Sequence, residues 1–353
     1  MPPVNQLPPP ENKTKLLLLF AACLTIVGII AGVKVEQTIE SSAVPPSIIV
    51  EPVVLSTPAI SPSIDIVLAE NIAPLSTTSI SAAIPFSPDL IPEQYRVTEL
   101  QPQPLPSVVR PADEITARAY IVGNAMTGRV YLSSNAATVM PVASMSKLIT
   151  TIAATDSMSP TTTITITPAE TNVPPDGSNL AAGETFTLKD LLYPLLLDSS
   201  NIAAEAIASS SDRLKFLTLM SSYAWEIGMP TAYFADPSGI NPYNHASAND
   251  MFALAKYLYV YRPDILAITR IAHEGVATTT EHSSHVFDSI HPFVNDPRMI
   301  GGKTGRTPEA GETMMTILRM GTQPIAFIIM GSDYGRREAD TDLLVQKFQA
   351  LND

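Results

Sequence analysis

A serine and a lysine three residues apart carry the first chemical signal in this sequence. Ser144 and Lys147 lie in the stretch PVASMSKLITTIAA, where Lys147 is the sole charged residue between Arg129 and Asp156. Residues three apart on a helix share a face, so the hydroxyl and the amine should lie side by side. An amine among apolar neighbours favours its neutral form and can take the proton of a serine nucleophile. A surface helix with a solvated lysine is the alternative, which S-x-x-K alone does not exclude.

Two further tripeptides favour a catalytic interpretation. Lys303-Thr304-Gly305 is the sole K-T-G in the chain, ends a predicted strand and follows two glycines that permit close approach to the backbone. The S-x-N pattern occurs three times, at residues 133–135, 199–201 and 247–249. Order and context favour residues 199–201, which join two apolar helical runs between the other two motifs.

In this order the motifs resemble the serine D-alanyl-D-alanine carboxypeptidases among the low-molecular-mass penicillin-binding proteins. The wider superfamily, which includes class A β-lactamases, carries S-x-x-K, S-D-N and K-T-G. Longer segments are similar too, among them TGRVYLSSNAATVMPVASMSKLIT, GETFTLKDLLYPLLLDSSNIAAEAIA and IGGKTGRTPEAG. The resemblance covers about residues 112–353.

The resemblance implies a catalytic set of four residues. Ser144 is expected to attack the carbonyl between two D-alanines while Lys147 accepts its proton, and water then hydrolyses the acyl-enzyme. Ser199 is expected to relay a proton to the leaving amine, and Asn201 to hold the substrate amide and Lys147. The implied substrate is the stem peptide of peptidoglycan, with β-lactams as covalent inhibitors. No metal or organic cofactor is expected.

A substrate-binding set follows from the same resemblance. Lys303 and Thr304, with Gly305, are expected to hold the terminal carboxylate of the peptide. The N–H groups of Ser144 and Arg306 are expected to form the oxyanion hole. Two departures from the family pattern bear on substrate preference: Ser200 stands where close relatives usually have glycine, and Arg306 where histidine or an aromatic residue is common.

Several rival functions stay open at this point. A D,D-endopeptidase that cuts cross-links would use the same site with a different groove. A class A β-lactamase would need an E-x-x-L-N loop after the S-x-N, which the sequence lacks. His282 and His285, with Glu281 and His291 nearby, suggest a metallopeptidase, although a polar loop fits them better. A non-catalytic wall-binding module is the rival from another class.

The elements that must position these residues follow from hydrophobic periodicity. ARAYIVGNAMTGRVYLSSN predicts a β-hairpin, helical spacing dominates residues 142–266, and MIGGKTG, GETMMTILRM and PIAFIIMGSD predict three more strands before a helix over residues 336–351. This order indicates an α+β domain of the β-lactamase/transpeptidase-like type. Its mostly antiparallel five-stranded sheet is expected to be flanked by helices and interrupted by a helical subdomain.

The N-terminal third of the sequence predicts a membrane anchor and a linker rather than a folded domain. Residues 16–33 contain no charge and follow Lys13 and Lys15, which predicts a single transmembrane helix with a cytoplasmic tail at residues 1–15. A cleaved signal peptide is the alternative. Residues 34–111 form a predicted extended linker, with thirteen prolines and no glycine in residues 41–111. The catalytic domain, residues 112–353, is therefore expected outside the cell membrane.

Charge and cysteine content exclude other classes. The net charge of −13 and the pI near 4.8 provide no basic field for phosphates, so no nucleic-acid partner is expected. The single cysteine, Cys23, cannot form an internal disulfide.

Overall fold

The computed structural model describes residues 113–174 and 177–351. The predicted tail, membrane span and linker of residues 1–111 lie outside these ranges and remain predictions. Within the described ranges, no helix is both long enough and apolar enough to cross a bilayer.

Eleven strands occur in the described part of the chain. In order they are β1 (Ala119–Asn124), β2 (Val130–Ser134), β3 (Met140–Pro141), β4 (Thr163–Thr165), β5 (Thr185–Thr187), β6 (His245–Ala246), β7 (His273–Val276), β8 (His285–Asp288), β9 (Met299–Thr307), β10 (Gly311–Met320) and β11 (Gln323–Ser332).

Seven α-helices lie in the same ranges. They are α1 (Ser146–Ser157), α2 (Leu188–Leu196), α3 (Asn201–Ser209), α4 (Arg213–Ile227), α5 (Ala248–Tyr261), α6 (Pro263–Thr269) and α7 (Arg337–Ala350). Short 3-10 turns precede α1 at Ala143–Met145 and lie between β4 and β5 at Glu170–Asn172.

The central sheet has the order β2-β1-β11-β10-β9, and every neighbouring pair is antiparallel. The first and last thirds of the domain therefore build one sheet, with most helices inserted between β2 and β9. The predicted α+β class, five-stranded sheet and closing helix are confirmed.

Successive side chains of the central strands point to opposite faces of the sheet, so each face has its own hydrophobic core. In β11, Phe327 and Ile329 pack with Phe348 of α7, whereas Ile328 points into the larger core under the helical region. The rings of Phe327 and Phe348 meet edge to face with centroids 6.2 Å apart. The sheet is thus covered on both faces, which explains why β10 and β11 are buried almost throughout.

Helix α1 is buried on nearly all sides. Residues 146–154 are all buried, and α1 packs against α2, α3 and α4. A helix that is apolar all round belongs in the interior rather than on a surface. The surface-helix alternative for Lys147 is therefore wrong.

Short strands interrupt the region where the sequence predicts helices. Thr163–Thr165 and Thr185–Thr187 pair so that Ile164 faces Phe186. Their Thr-Ile-Thr and Thr-Phe-Thr patterns have the period of a strand but are too short to stand out against the flanking helices. After the helical region, β7 and β8 form a further antiparallel pair that the sequence did not predict.

One exposed aromatic side chain lies on the surface of α4. Trp225, the sole tryptophan of the chain, lies on α4 and is 71% exposed.

Candidate active site

The predicted nucleophile lies on a tightly held turn. Ser144 is the middle residue of the 3-10 turn that leads into α1. The preceding Ala143 has a φ of 50°, which is uncommon for a residue with a side chain. Val142 N donates to Asn244 O at 2.9 Å, and Thr313 Oγ1 donates to Val142 O at 3.0 Å. Bonds from two sides hold the strained backbone that presents Ser144.

The buried amine of Lys147 meets the serine hydroxyl. Lys147 is 0% exposed, and its Nζ lies 2.9 Å from Ser144 Oγ. The same Nζ lies 2.9 Å from Asn201 Oδ1 and 2.7 Å from Ser238 O. A polar group removed from water needs hydrogen-bond partners, and three oxygen atoms supply them here. The structure therefore brings S-x-x-K and S-x-N together.

The S-x-N segment lies in the short link between α2 and α3. Asn201 begins α3 and also donates from Nδ2 to Pro174 O at 3.3 Å. Ser200 caps the helix by accepting from Ala203 N, and its Oγ lies 2.8 Å from Ser178 Oγ. Ser199 is 9% exposed and has a φ of 64°. The departure at Ser200 thus serves as a helix cap and ties a neighbouring loop to the site.

The K-T-G strand runs beside the nucleophile. A Cβ placed on Gly305 would lie 2.8 Å from Ser144 N and 2.6 Å from Thr313 Oγ1, so only glycine fits in β9 at this point. Arg306 follows directly, and its register partner in β10 is Glu312. The sheet therefore places residues 303–306 of β9 beside the turn that carries Ser144.

Positive charge is concentrated behind this strand. Lys303 is 2% exposed, and its Nζ donates to Thr304 O at 3.2 Å. Burial, together with the charges of Lys147 and Arg337, lowers the pKa of Lys303 well below its usual value, while Asp198 opposes the shift. Arg337 Nη1 lies 3.5 Å from Gly305 O. A pocket of buried basic side chains suits a carboxylate group, whose negative charge favours their protonated forms.

Arg306 lies at the rim of the site. It is half exposed, its guanidinium stands 4.7 Å from the ring centroid of Tyr334, and its Nη1 is 4.0 Å from Glu312 Oε1. Stacking on Tyr334 draws the side chain along the surface.

Three residues near the site carried no sequence signal strong enough to single them out. Asp236 and Ser238 belong to a D-P-S-G segment that has the composition of an ordinary turn. Arg337 begins the closing helix, and only the sheet order brings it to β9.

The histidine pair has a structural environment of its own. His282 stacks on Phe186 with centroids 4.2 Å apart, and His285 Nε2 lies 2.8 Å from Glu184 Oε1. His282 lies in the β7–β8 connection, as the polar-loop prediction implies, but that prediction is wrong for His285, which begins β8. Across residues 113–174 and 177–351, no three His, Cys, Asp or Glu side chains are grouped as a metal site requires.

His291 packs against the strand that carries the K-T-G. Its Nε2 lies 3.1 Å from Met315 O, and its Nδ1 accepts from Phe293 N at 3.2 Å. Since Nδ1 accepts, Nε2 carries the proton and donates. Burial lowers the pKa of His291 to about 4. This ring is a neutral structural group at neutral pH.

With this geometry in place, comparison with known proteins decides the family. The family profile described as D-alanyl-D-alanine carboxypeptidase matches residues 106–334. The chain belongs to this family of serine D,D-peptidases.

Some relatives in this family are named endopeptidases and others carboxypeptidases. A D-alanyl-D-alanine endopeptidase of Haemophilus influenzae is 32% identical over 145 residues, which are 40% of this chain and 50% of that protein. A D-alanyl-D-alanine carboxypeptidase of Bacillus subtilis is 27% identical over 156 residues, 43% of this chain and 40% of that protein. The aligned segments span half or less of these family members.

A solved structure shows the same fold. The crystal structure of a D-alanyl-D-alanine carboxypeptidase from Mycobacterium tuberculosis superposes with a TM-score of 0.62 at 21% identity, covering 70% of this chain and 96% of that chain. The α+β fold of that structure, with its antiparallel five-stranded sheet and flanking helices, is therefore present here.

Proposed function

We propose that this chain is a serine D,D-carboxypeptidase that removes the terminal D-alanine from peptidoglycan stem peptides. The observation that carries the proposal is the 2.9 Å contact between the buried Lys147 Nζ and Ser144 Oγ. A serine hydroxyl becomes a useful nucleophile only when a base takes its proton.

The proposed reaction has two halves. Ser144 Oγ attacks the carbonyl of the D-Ala–D-Ala bond while its proton passes to Lys147. Lys147 returns this proton through the hydroxyl of Ser199 to the leaving amine, so that free D-alanine departs and both Lys147 and Ser199 regain their starting protonation states. Water activated by Lys147 then attacks the ester, which restores Ser144 and releases the shortened peptide.

Substrate binding uses the K-T-G strand. Lys303 and Thr304 hold the terminal carboxylate, and Asn201 holds a substrate amide. The N–H groups of Ser144 and Arg306 stabilise the oxyanion. Support comes from the close packing of Gly305 on Ser144 N and from the positive field around Lys303.

Covalent labelling tests the nucleophile. The full-length chain is incubated with a β-lactam and analysed by intact-mass spectrometry and peptide mapping, and one adduct is expected on Ser144. Ser144→Ala should abolish the adduct. Ser157→Ala, at the far end of α1, should keep it. An adduct that persists in Ser144→Ala, or no adduct on the wild-type chain, contradicts the proposal.

A D,D-endopeptidase is the second candidate, because the H. influenzae relative carries that name. Both activities use the same bond chemistry and differ in the size of the leaving group. Purified protein is given a pentapeptide and a cross-linked peptide dimer in parallel. Release of D-alanine supports the carboxypeptidase, and release of monomer from the dimer supports the endopeptidase.

The same experiment addresses two weaker candidates. A β-lactamase-like enzyme would turn over the β-lactam rapidly and leave both peptides intact. A wall-binding module would hold the peptides without cutting either.

The proposal extends to location. Residues 16–33 anchor the chain in the cell membrane, and the proline-rich residues 34–111 hold the catalytic domain on the extracytoplasmic side. External protease should release an active fragment from intact spheroplasts. Recovery of a mature soluble protein beginning near Lys34 would show a cleaved signal peptide instead.

A further inference from the structure

We propose that Asp236 is a positioning residue for the base Lys147, acting through the peptide group between Ser238 and Gly239. This inference rests on the proposed roles of Ser144 and Lys147 and adds a residue that lies outside all three motifs.

The hydrogen-bond partners of Lys147 show why its orientation matters. A neutral amine has two N–H groups and one lone pair. Ser238 O and Asn201 Oδ1 are acceptors only, at 2.7 and 2.9 Å. When the two N–H groups bond these oxygens, the lone pair is left for the hydroxyl of Ser144. The Ser238 carbonyl therefore aims the base at the nucleophile.

The orientation of that carbonyl follows from its own peptide group. Ser238 O and Gly239 N belong to one peptide plane, and in a trans peptide the C=O and N–H bonds point in opposite directions. Gly239 N donates to Asp236 Oδ1 at 2.6 Å. Because the carboxylate holds the N–H end, the C=O end points at Lys147.

The carboxylate of Asp236 gathers further donors of the same turn. Its Oδ1 also accepts from Ser238 N at 2.6 Å and from Ser238 Oγ at 2.8 Å, and its Oδ2 accepts from Asn241 N. Hydrogen bonds to a charged acceptor are shorter and stronger than neutral ones. Asp236 is 8% exposed, so these bonds are shielded from water.

The rest of the turn is fixed from outside. Asn244 Nδ2 donates to Asp236 O at 2.8 Å, and Thr150 Oγ1 donates to Pro237 O at 2.6 Å. A Cβ on Gly239 would lie 2.0 Å from Ala143 O, so the turn presses directly on the serine turn. Little room remains for the carbonyl of Ser238 to move while its N–H anchor is present.

The test compares two buried aspartates in the full-length protein. Asp236→Asn removes the charge and replaces one acceptor by a donor facing Asn241 N. The control is Asp250→Asn, because Asp250 is also buried and accepts from Ser247 N and Ser247 Oγ at the start of α5. Each variant is acylated by a β-lactam over a pH series, and the melting temperature is measured alongside.

Asp236→Asn is expected to lower the acylation rate constant at the pH plateau by at least about tenfold, which is part of the roughly 10²–10⁴-fold that a general base contributes. The dissociation constant of the initial complex should change less than about threefold. The acidic limb of the rate profile should move to lower pH, because a negative charge near the Lys147 ammonium is lost. Asp250→Asn should lose melting temperature and keep both the plateau rate and the profile.

Ser238→Ala provides a second variant if Asp236→Asn does not fold. It removes the hydroxyl bond to Asp236 and leaves the peptide group intact, so a smaller loss of plateau rate with the same unchanged binding is expected. Wild-type rate and profile in the folded Asp236→Asn protein overturn the inference, as does an equal loss in Asp250→Asn. The wild-type chain is acylated in the same assays as a reference. If the wild-type chain reacts and Asp236→Asn reacts equally well, only the inference about Asp236 fails. If the wild-type chain does not react, the proposed function fails.

Discussion

Two buried lysines of this site have different surroundings. Lys147 Nζ lies within 2.9 Å of three oxygen atoms from Ser144, Asn201 and Ser238, whereas Lys303 lies in a field of other cations. A base needs a lone pair directed at its target, and a carboxylate clamp needs charge. The two positions should therefore respond differently to the same substitution.

Lys147→Arg should nearly eliminate acylation, because a guanidinium remains protonated and cannot accept the proton of Ser144. Lys303→Arg should be milder and raise the substrate concentration needed for half-maximal rate, since arginine still donates to a carboxylate. Acylation rate against β-lactam concentration measures both effects. Near-normal acylation in Lys147→Arg would contradict its role as the base.

Substrate binding should be coupled to proton uptake at Lys303. Its pKa is well below the usual value in the empty site, so the amine is neutral at pH values above that lowered pKa. A bound carboxylate favours the ammonium, and a proton must then enter with the peptide. Calorimetry of Ser144→Ala with a pentapeptide, in buffers of different ionisation enthalpy, measures the uptake.

Lys303→Arg in the same background is the matched control for this calorimetry, because a guanidinium is charged before and after binding. Its binding heat should not depend on the buffer. Buffer-independent heat in the Lys303 protein would contradict the expectation.

At the scale of elements, β9 and the turn at residues 236–239 close on the serine turn from two sides. Gly305 and Gly239 leave no room for a side chain, and the latter also has a φ of 86°. Ser144, the proposed nucleophile, is thus positioned by backbone packing as much as by side chains. Glycine at these two points is a requirement of this packing.

Gly239→Ala should destabilise the domain by more than about 3 kcal/mol and abolish acylation, since its Cβ would meet Ala143 O. Gly228→Ala is the matched control. Gly228 ends α4 at a φ of 93°, and an added methyl group there would meet open space, so backbone strain alone should cost about 1 kcal/mol and leave acylation intact. Urea unfolding followed by circular dichroism measures the two losses. Equal effects would show that strain, rather than the clash, matters at Gly239.

The sequence predicted the contacts of residues that belong to a motif well and those of residues outside the motifs poorly. Spacing placed Lys147 beside Ser144, and context chose Asn201 among three S-x-N patterns; both appear in one hydrogen-bond network. Ser238 contributes a backbone carbonyl, which any residue possesses, so its identity gave no signal. Arg337 reaches Gly305 O because β9 and α7 are neighbours in space, a relation that exists only once the sheet is assembled.

At the scale of the whole molecule, buried polar groups beneath the sheet couple stability to pH. His291 has a pKa of about 4 in the folded protein, against 6.5 for an ordinary histidine. Between these values the unfolded chain binds a proton that the folded chain does not. The stabilisation is therefore present above pH 6.5 and is lost as the pH falls toward 4.

The wild-type chain should lose on the order of 3 kcal/mol through His291 between pH 7 and pH 4, and His291→Gln should remove most of that dependence. Urea midpoints at the two pH values supply the measurement. The exposed His273 offers the control, because His273→Gln should keep the wild-type dependence. An unchanged slope in His291→Gln would mean that other groups dominate.

The exposed position of Trp225 determines which optical signals can follow this protein. An indole that is 71% exposed in the folded state already emits from an aqueous environment, and unfolding changes that environment little. Tryptophan emission should therefore stay red-shifted and accessible to acrylamide quenching before and after denaturation. A fluorescence melt with a flat trace would indicate a badly placed reporter rather than an unusually stable fold.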